Sequence, residues 1–185
     1  MKYVRLLLFV FCALSFLTSF GKTIHFKKYE NPAYRFYFFM PATWKIMYNR
    51  LQDEWVCMPL DHEERAMYNH CYEGIVFRME YYYSGLDAAL MGRAGSYEKV
   101  GDSYYFSAGL NDKLKVKNLQ GHGWTGIYHN GVCGISCEGT GFHAAAGECE
   151  NIYFSNGKIT VSIETNGRAF DKSVLDMLLK SIHFY

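Results

Sequence analysis

From residue 149 to 164, apolar and polar residues alternate on both sides of Asn156-Gly157, the pattern of a β-hairpin closed by a two-residue turn. Such a turn pairs Ser155 with Lys158, Phe154 with Ile159, Ile152 with Val161 and Glu150 with Ile163. It gathers Ile152, Phe154, Ile159, Val161 and Ile163 on one face. A second Asn-Gly, Asn130-Gly131, predicts another hairpin over 124–137, with His129 opposite Val132, Tyr128 opposite Cys133, Gly126 opposite Ile135 and Trp124 opposite Cys137. Trp124, Tyr128, Cys133, Ile135 and Cys137 then share a face. The stretch 138–148, with three glycines and three alanines, is expected to connect the two hairpins.

Past Asn166-Gly167 the period changes. Val174, Leu175, Leu178 and Ile182 recur at helical spacing, with Asp171 placed to cap the helix and Phe170 to staple over Leu175. Upstream, 23–30, 34–40 and 44–48 read as strands separated by Asn31-Pro32 and Pro41. Ile75, Phe77, Met79, Tyr81 and Tyr83 alternate as a further strand, and 86–93 reads as a short helix. Residues 22–185 contain no repeat, low-complexity tract or linker. They are expected to form a single α+β domain, an antiparallel sheet with a C-terminal amphipathic helix.

The run YENPAYRFYFFMPATWKI, a strand that ends in Pro41-x-x-Trp44, together with the closing hairpin, helix and KSIHF, resembles the superfamily of αβα sandwiches typified by the photosystem II protein PsbP. The resemblance lies at the two ends of the chain, and the cysteine-bearing middle departs from it. It implies a PsbP-like αβα sandwich. Because members of that superfamily are mostly non-enzymatic binding or assembly modules, several of them exported, it also implies a binding role.

The N-terminus adds a location. Lys2 and Arg5 precede an uncharged apolar run over 6–17, and Thr18, Ser19, Phe20 and Gly21 supply small residues at the expected cleavage positions. Residues 1–21 are therefore expected to be a signal peptide. The uncharged run is too short for a spanning helix, which needs roughly twenty residues, so no stable membrane anchor is expected after cleavage. A secreted or periplasmic protein follows. Removal of the leader takes the 19 Lys+Arg to 17 against 18 Asp+Glu, and six cysteines to five. A net charge near zero provides no basic field for nucleic acid.

The remaining cysteines are Cys57, Cys71, Cys133, Cys137 and Cys149. With His122, His129 and His143 nearby they include the right ligand types for zinc, but Cys133 and Cys137 on one strand have Cα atoms roughly 13 Å apart, too far to share an ion. No metal and no cofactor is expected. In an oxidising compartment the predicted pairs are Cys57 with Cys71 and Cys137 with Cys149, leaving Cys133 free and buried beside Tyr128. Each closure contributes on the order of 3 kcal/mol in the chain-entropy model. Ser136, in GISCEG, misses the Gly-x-Ser-x-Gly elbow and falls mid-strand. No Gly-rich phosphate loop occurs, because Gly121-x-Gly123 runs into Trp124 without a third glycine or a helix.

Aromatic residues make up 18% of the chain and must occupy both faces of at least two strands, since Phe36 and Phe38 alternate with Tyr37 and Phe39 and Tyr81, Tyr82 and Tyr83 are consecutive. Where such a face is not covered it becomes a binding platform. The candidate binding residues are Trp124, Tyr128, Tyr81 and Tyr83. The function expected from these features is an exported non-catalytic protein-binding module, an immunity or adaptor protein for a secreted partner being one form of it. The alternative is a small secreted hydrolase or thiol enzyme that uses the Cys and His residues in 122–149.

Overall fold

The computed structural model describes residues 23–50, 54–60, 75–92, 96–107, 113–135, 145–165 and 169–185, with 132–135 and 145–147 described by backbone alone. Among these residues there are thirteen strands and two helices. The α+β, PsbP-like αβα sandwich expected from the sequence is corrected by this count: the architecture is mainly β, built from three antiparallel sheets. The expected signal peptide, residues 1–21, lies outside the described residues, among which no helix is long and apolar enough to cross a membrane.

The largest sheet has the order β3 (Trp44–Asn49), β4 (Glu54–Pro59), β5 (Phe77–Tyr82), β12 (Thr160–Thr165), β11 (Ala145–Ser155), β10 (Trp124–Ile135), β9 (Lys117–Gly121). On one of its faces lie the short helix α1 (Leu86–Met91) and a sheet of β6 (Tyr97–Val100), β7 (Ser103–Ser107) and β8 (Lys113–Lys115). Against the other face pack β1 (Phe26–Asn31), β2 (Phe36–Pro41), β13 (His183–Phe184) and helix α2 (Lys172–Ser181). The main core lies there. Phe36, Phe38 and Met40 of β2, with Leu178 and Ile182 from α2 and its exit, meet Phe77, Met79, Ile152, Phe154, Val161 and Ile163. Across the sheet a second core joins Leu86, Leu90, Tyr104 and Val116 to Ile127 and Tyr153.

Both Asn-Gly expectations change. At Asn156-Gly157 the chain does turn back, but the side chain of Asn156 accepts from the backbone N–H of Lys158 (3.0 Å) and Ile159 (2.9 Å), which lengthens the loop to four residues. Ser155 therefore pairs with Thr160, Phe154 with Val161 and Ile152 with Ile163. The register slips by two residues, a full side-chain period, so the apolar set keeps its face. Asn130-Gly131 makes no turn. It lies inside the twelve-residue β10, which pairs with β11 from Thr125 and Ser155 to Ile135 and Ala145. A long backbone ladder outweighs a local turn preference, and the hairpin turn falls at His122-Gly123, where Gly123 has φ 77°.

Helix α2 begins where expected. Asp171 accepts from the Ser173 N–H at 3.4 Å, and Val174 and Leu178 face the core. Phe170 packs between Trp44 and Phe77, each with ring centroids 5.9 Å away, so the Trp of Pro41-x-x-Trp44 meets the start of the helix.

Gly126 has no room for a side chain: a Cβ there would lie 2.1 Å from the Tyr153 carbonyl oxygen and 3.1 Å from Phe154 Cα. Gly126→Ala is expected to force β10 and β11 apart and to cost on the order of 3 kcal/mol. Gly131→Ala, whose Cβ would meet nothing nearer than 3.6 Å, is expected to cost less than about 1 kcal/mol. Urea unfolding midpoints of the two variants check the contrast.

Candidate functional site

The cysteines do not assemble as expected. Cys57 is a free thiol on β4, wholly buried in the main core with its thiol pKa pushed well up by burial. Its side chain points between the layers, so the predicted bridge to Cys71 is corrected; Cys71 itself lies outside the described residues. Cys149 on β11 is buried and disulfide-bonded. Cys137, its expected partner, and His143 lie outside the described residues. Cys133 sits on β10 opposite Gly147, and its side chain is not among those described.

The histidines are separated. His122 occupies the β9–β10 turn. His129 is buried on the opposite side of the sheet, stacked on Phe106 at 4.3 Å with its Nε2 2.8 Å from the Tyr97 hydroxyl. Burial pushes its pKa down to about 4. Among the described residues no three His, Cys, Asp or Glu side chains are grouped so as to hold a metal ion. Several carboxylates serve the fold: Glu164 accepts from the Tyr153 hydroxyl at 2.7 Å, and Asp87 is held by Lys99 and Tyr104. Glu54 is buried with Arg78 3.6 Å away, and burial raises its pKa.

The four candidate binding aromatics divide into two pairs. Trp124 is buried: its Nε1 donates to the Ile182 carbonyl at 3.0 Å and its ring meets Phe154 edge-on. Tyr128 is half-buried beside Glu150, and desolvation with that carboxylate raises its hydroxyl pKa. Tyr81 and Tyr83, in contrast, belong to a band of rings at the rim of the main core. Tyr48 lies 5.3 Å from Trp55, Trp55 6.3 Å from Tyr81, Tyr81 4.0 Å from Tyr34 in a parallel stack, and Tyr34 5.9 Å from Tyr83. The band ends in solvent, with Tyr48 43% and Tyr83 80% exposed.

One buried amide organises this rim. Asn31 donates from Nδ2 to the Tyr81 hydroxyl at 3.1 Å, while its Oδ1 accepts from the backbone N–H of Ala33 and Tyr34. It thereby shapes the turn that presents Tyr34 and ends at Arg35, whose φ of 55° is left-handed. The sequence pattern does not single out Tyr34, Tyr48 or Trp55. Their signal was present: Tyr48 and Trp55 are cross-strand partners in the β3–β4 hairpin, although β4 itself was not expected.

A second feature lies at the far end of the sheet. Between β9 and α2 runs a cavity of about 370 Å³, lined among others by Trp124, Leu119, Leu179, Lys117, Lys180 and Asp176. His122 and His183 also line it, their rings nearly parallel at 5.7 Å, and His183 stacks in turn on Tyr37.

No family model and no curated protein matches the chain. A solved structure from Bacteroides thetaiotaomicron VPI-5482 is similar to it at 11% identity and a TM-score of 0.46, over 86% of this chain. The chain spans about half, 48%, of that protein. A likeness at that level carries no argument about function.

Two measurements follow from the buried groups. Iodoacetamide is expected to leave Cys57 unmodified in the folded protein and to label it after unfolding, which peptide mapping reads directly. Below pH 6.5 the unfolded chain takes a proton on His129 that the folded chain refuses until about pH 4, so stability is expected to fall as the pH drops through that window. His129→Phe is expected to remove this part of the pH dependence of the urea midpoint.

Proposed function

We propose that this chain is an exported, non-catalytic protein-binding module that recognises its partner through the aromatic band Tyr48, Trp55, Tyr81, Tyr34 and Tyr83. The exposure of the band's two ends, beside rings already fixed by stacking, carries the reading. Rigid aromatic side chains offer large contact area while losing little conformational freedom, which is why they dominate the energetics of protein recognition. An immunity or adaptor protein for a secreted partner is one specific form of this reading. The alternative, a thiol enzyme or hydrolase acting through 122–149, is less well supported. It needs an ionised, accessible thiol beside an imidazole, whereas Cys149 is in a disulfide and His129 is turned toward Tyr97 inside the second core.

The test is capture from the native envelope. The double variant Tyr48→Ala/Tyr83→Ala is expected to keep the wild-type melting temperature and to bind the captured partner at least about tenfold more weakly. Met177→Ala, which removes an exposed apolar side chain from α2, is expected to bind as the wild type does. No specific partner, or one held equally well by the double variant, would sink the proposal.

A further inference from the structure

We infer that the free edge of β9, beside α2, takes an extended acidic segment of another protein as an added strand. This surface is separate from the aromatic band, so either reading can fail without the other.

The ladder itself shows which groups are free. A two-residue turn closes the β9–β10 hairpin, which puts the closing pair, Gly121 and Trp124, at a hydrogen-bonded site. Alternation from there turns Leu119, opposite Gly126, and Lys117, opposite Tyr128, toward β10. Asn118 and Gln120 therefore aim their backbone N–H and C=O groups away from β10, along the outer edge of the sheet. Among the described residues β9 is the terminal strand, and no backbone group pairs with Asn118 or Gln120 on that side. Unpaired edge groups are a template for main-chain pairing.

What lies beside this edge selects the occupant. The cavity of about 370 Å³ runs between β9 and α2, where a strand added to β9 would place alternate side chains. Trp124, Leu119, Leu179 and Ile182 supply the apolar part of its lining, and Lys117 and Lys180 outnumber the single Asp176. A segment that alternates acidic with β-branched residues satisfies the lysines, the apolar lining residues and the edge amides together. A small anion would engage the lysines and leave the edge amides in water. A second copy of this chain would bring the same lysines to the same groove, and like charges disfavour that.

The probe is a nine-residue peptide of alternating Glu and Val, added to the full-length, isotope-labelled protein and followed by amide NMR. Binding is expected to shift the amides of Asn118 and Gln120 and slow their hydrogen exchange at least tenfold. Lys117→Glu/Lys180→Glu is expected to weaken binding at least tenfold. Gln120→Pro is expected to abolish binding while keeping the melting temperature, because the lost N–H points to the edge and not into the sheet. Four results would overturn the inference: no binding, equal binding of a Lys-Val peptide, the same shifts on adding inorganic phosphate, or protection of Asn118 and Gln120 by concentration-dependent dimerisation without peptide.

Discussion

Phe154 and Tyr153 are neighbours on β11, both wholly buried, and they point to opposite faces of the sheet. That double burial sets the terms for everything else. A strand apolar on both sides cannot leave either face to water, so the seven-stranded sheet needs two covers. Among the described residues β1, β2, β13 and α2 cover one face, whereas α1 and the sheet β6–β8 lie on the other, where Val56, Met58 and Ile75 form a further buried cluster at the β4 end. The aromatic band lies at the rim of the deeper core, where the cover gives out and the rings pack against one another.

The parts of this fold that were legible in the sequence are those where a local signal and the tertiary requirement coincide. Ile152, Phe154, Val161 and Ile163 share a face because a period of two survives a two-residue slip. The four-residue loop that caused the slip depends on which backbone groups the Asn156 side chain accepts, a choice that composition does not reveal. At Asn130-Gly131 the signals conflict. The dipeptide favours a turn, but continuing β10 gives each residue on both sides of it a partner on β11, and the ladder prevails. Strands β6, β8 and β9 carry little periodicity because they are short and their side chains mostly face solvent. With those strands unseen, the second cover was expected to be helical.

Of the candidate site, Tyr81 and Tyr83 were visible as consecutive aromatics, and they do lie at the rim. Trp124 and Tyr128 were grouped with them by a hairpin that does not form, and the true pairing turns Trp124 into the core. Cys57 illustrates the opposite difficulty. Its spacing from Cys71 suits a loop staple, but its place on β4 is set by the alternation of Val56, Cys57 and Met58, all buried, and spacing along a chain says nothing about which way a side chain faces. The groove beside β9 left no motif because its edge amides belong to the backbone and its lysines come from elements 63 residues apart, at 117 and 180.

The layer that covers the main core is assembled from the two ends of the described chain. Phe36 pairs with Phe184, the Tyr185 N–H donates to the Arg35 carbonyl, and the Tyr185 hydroxyl reaches Glu30 across 155 residues. Contacts so distant in sequence are slow to form, because the loop they close must first lose its freedom. A nascent chain holding only the first hundred and fifty residues has β1 and β2 but nothing to seat against their free edge. The cover of the main core is therefore complete only when both ends of the described chain are in place.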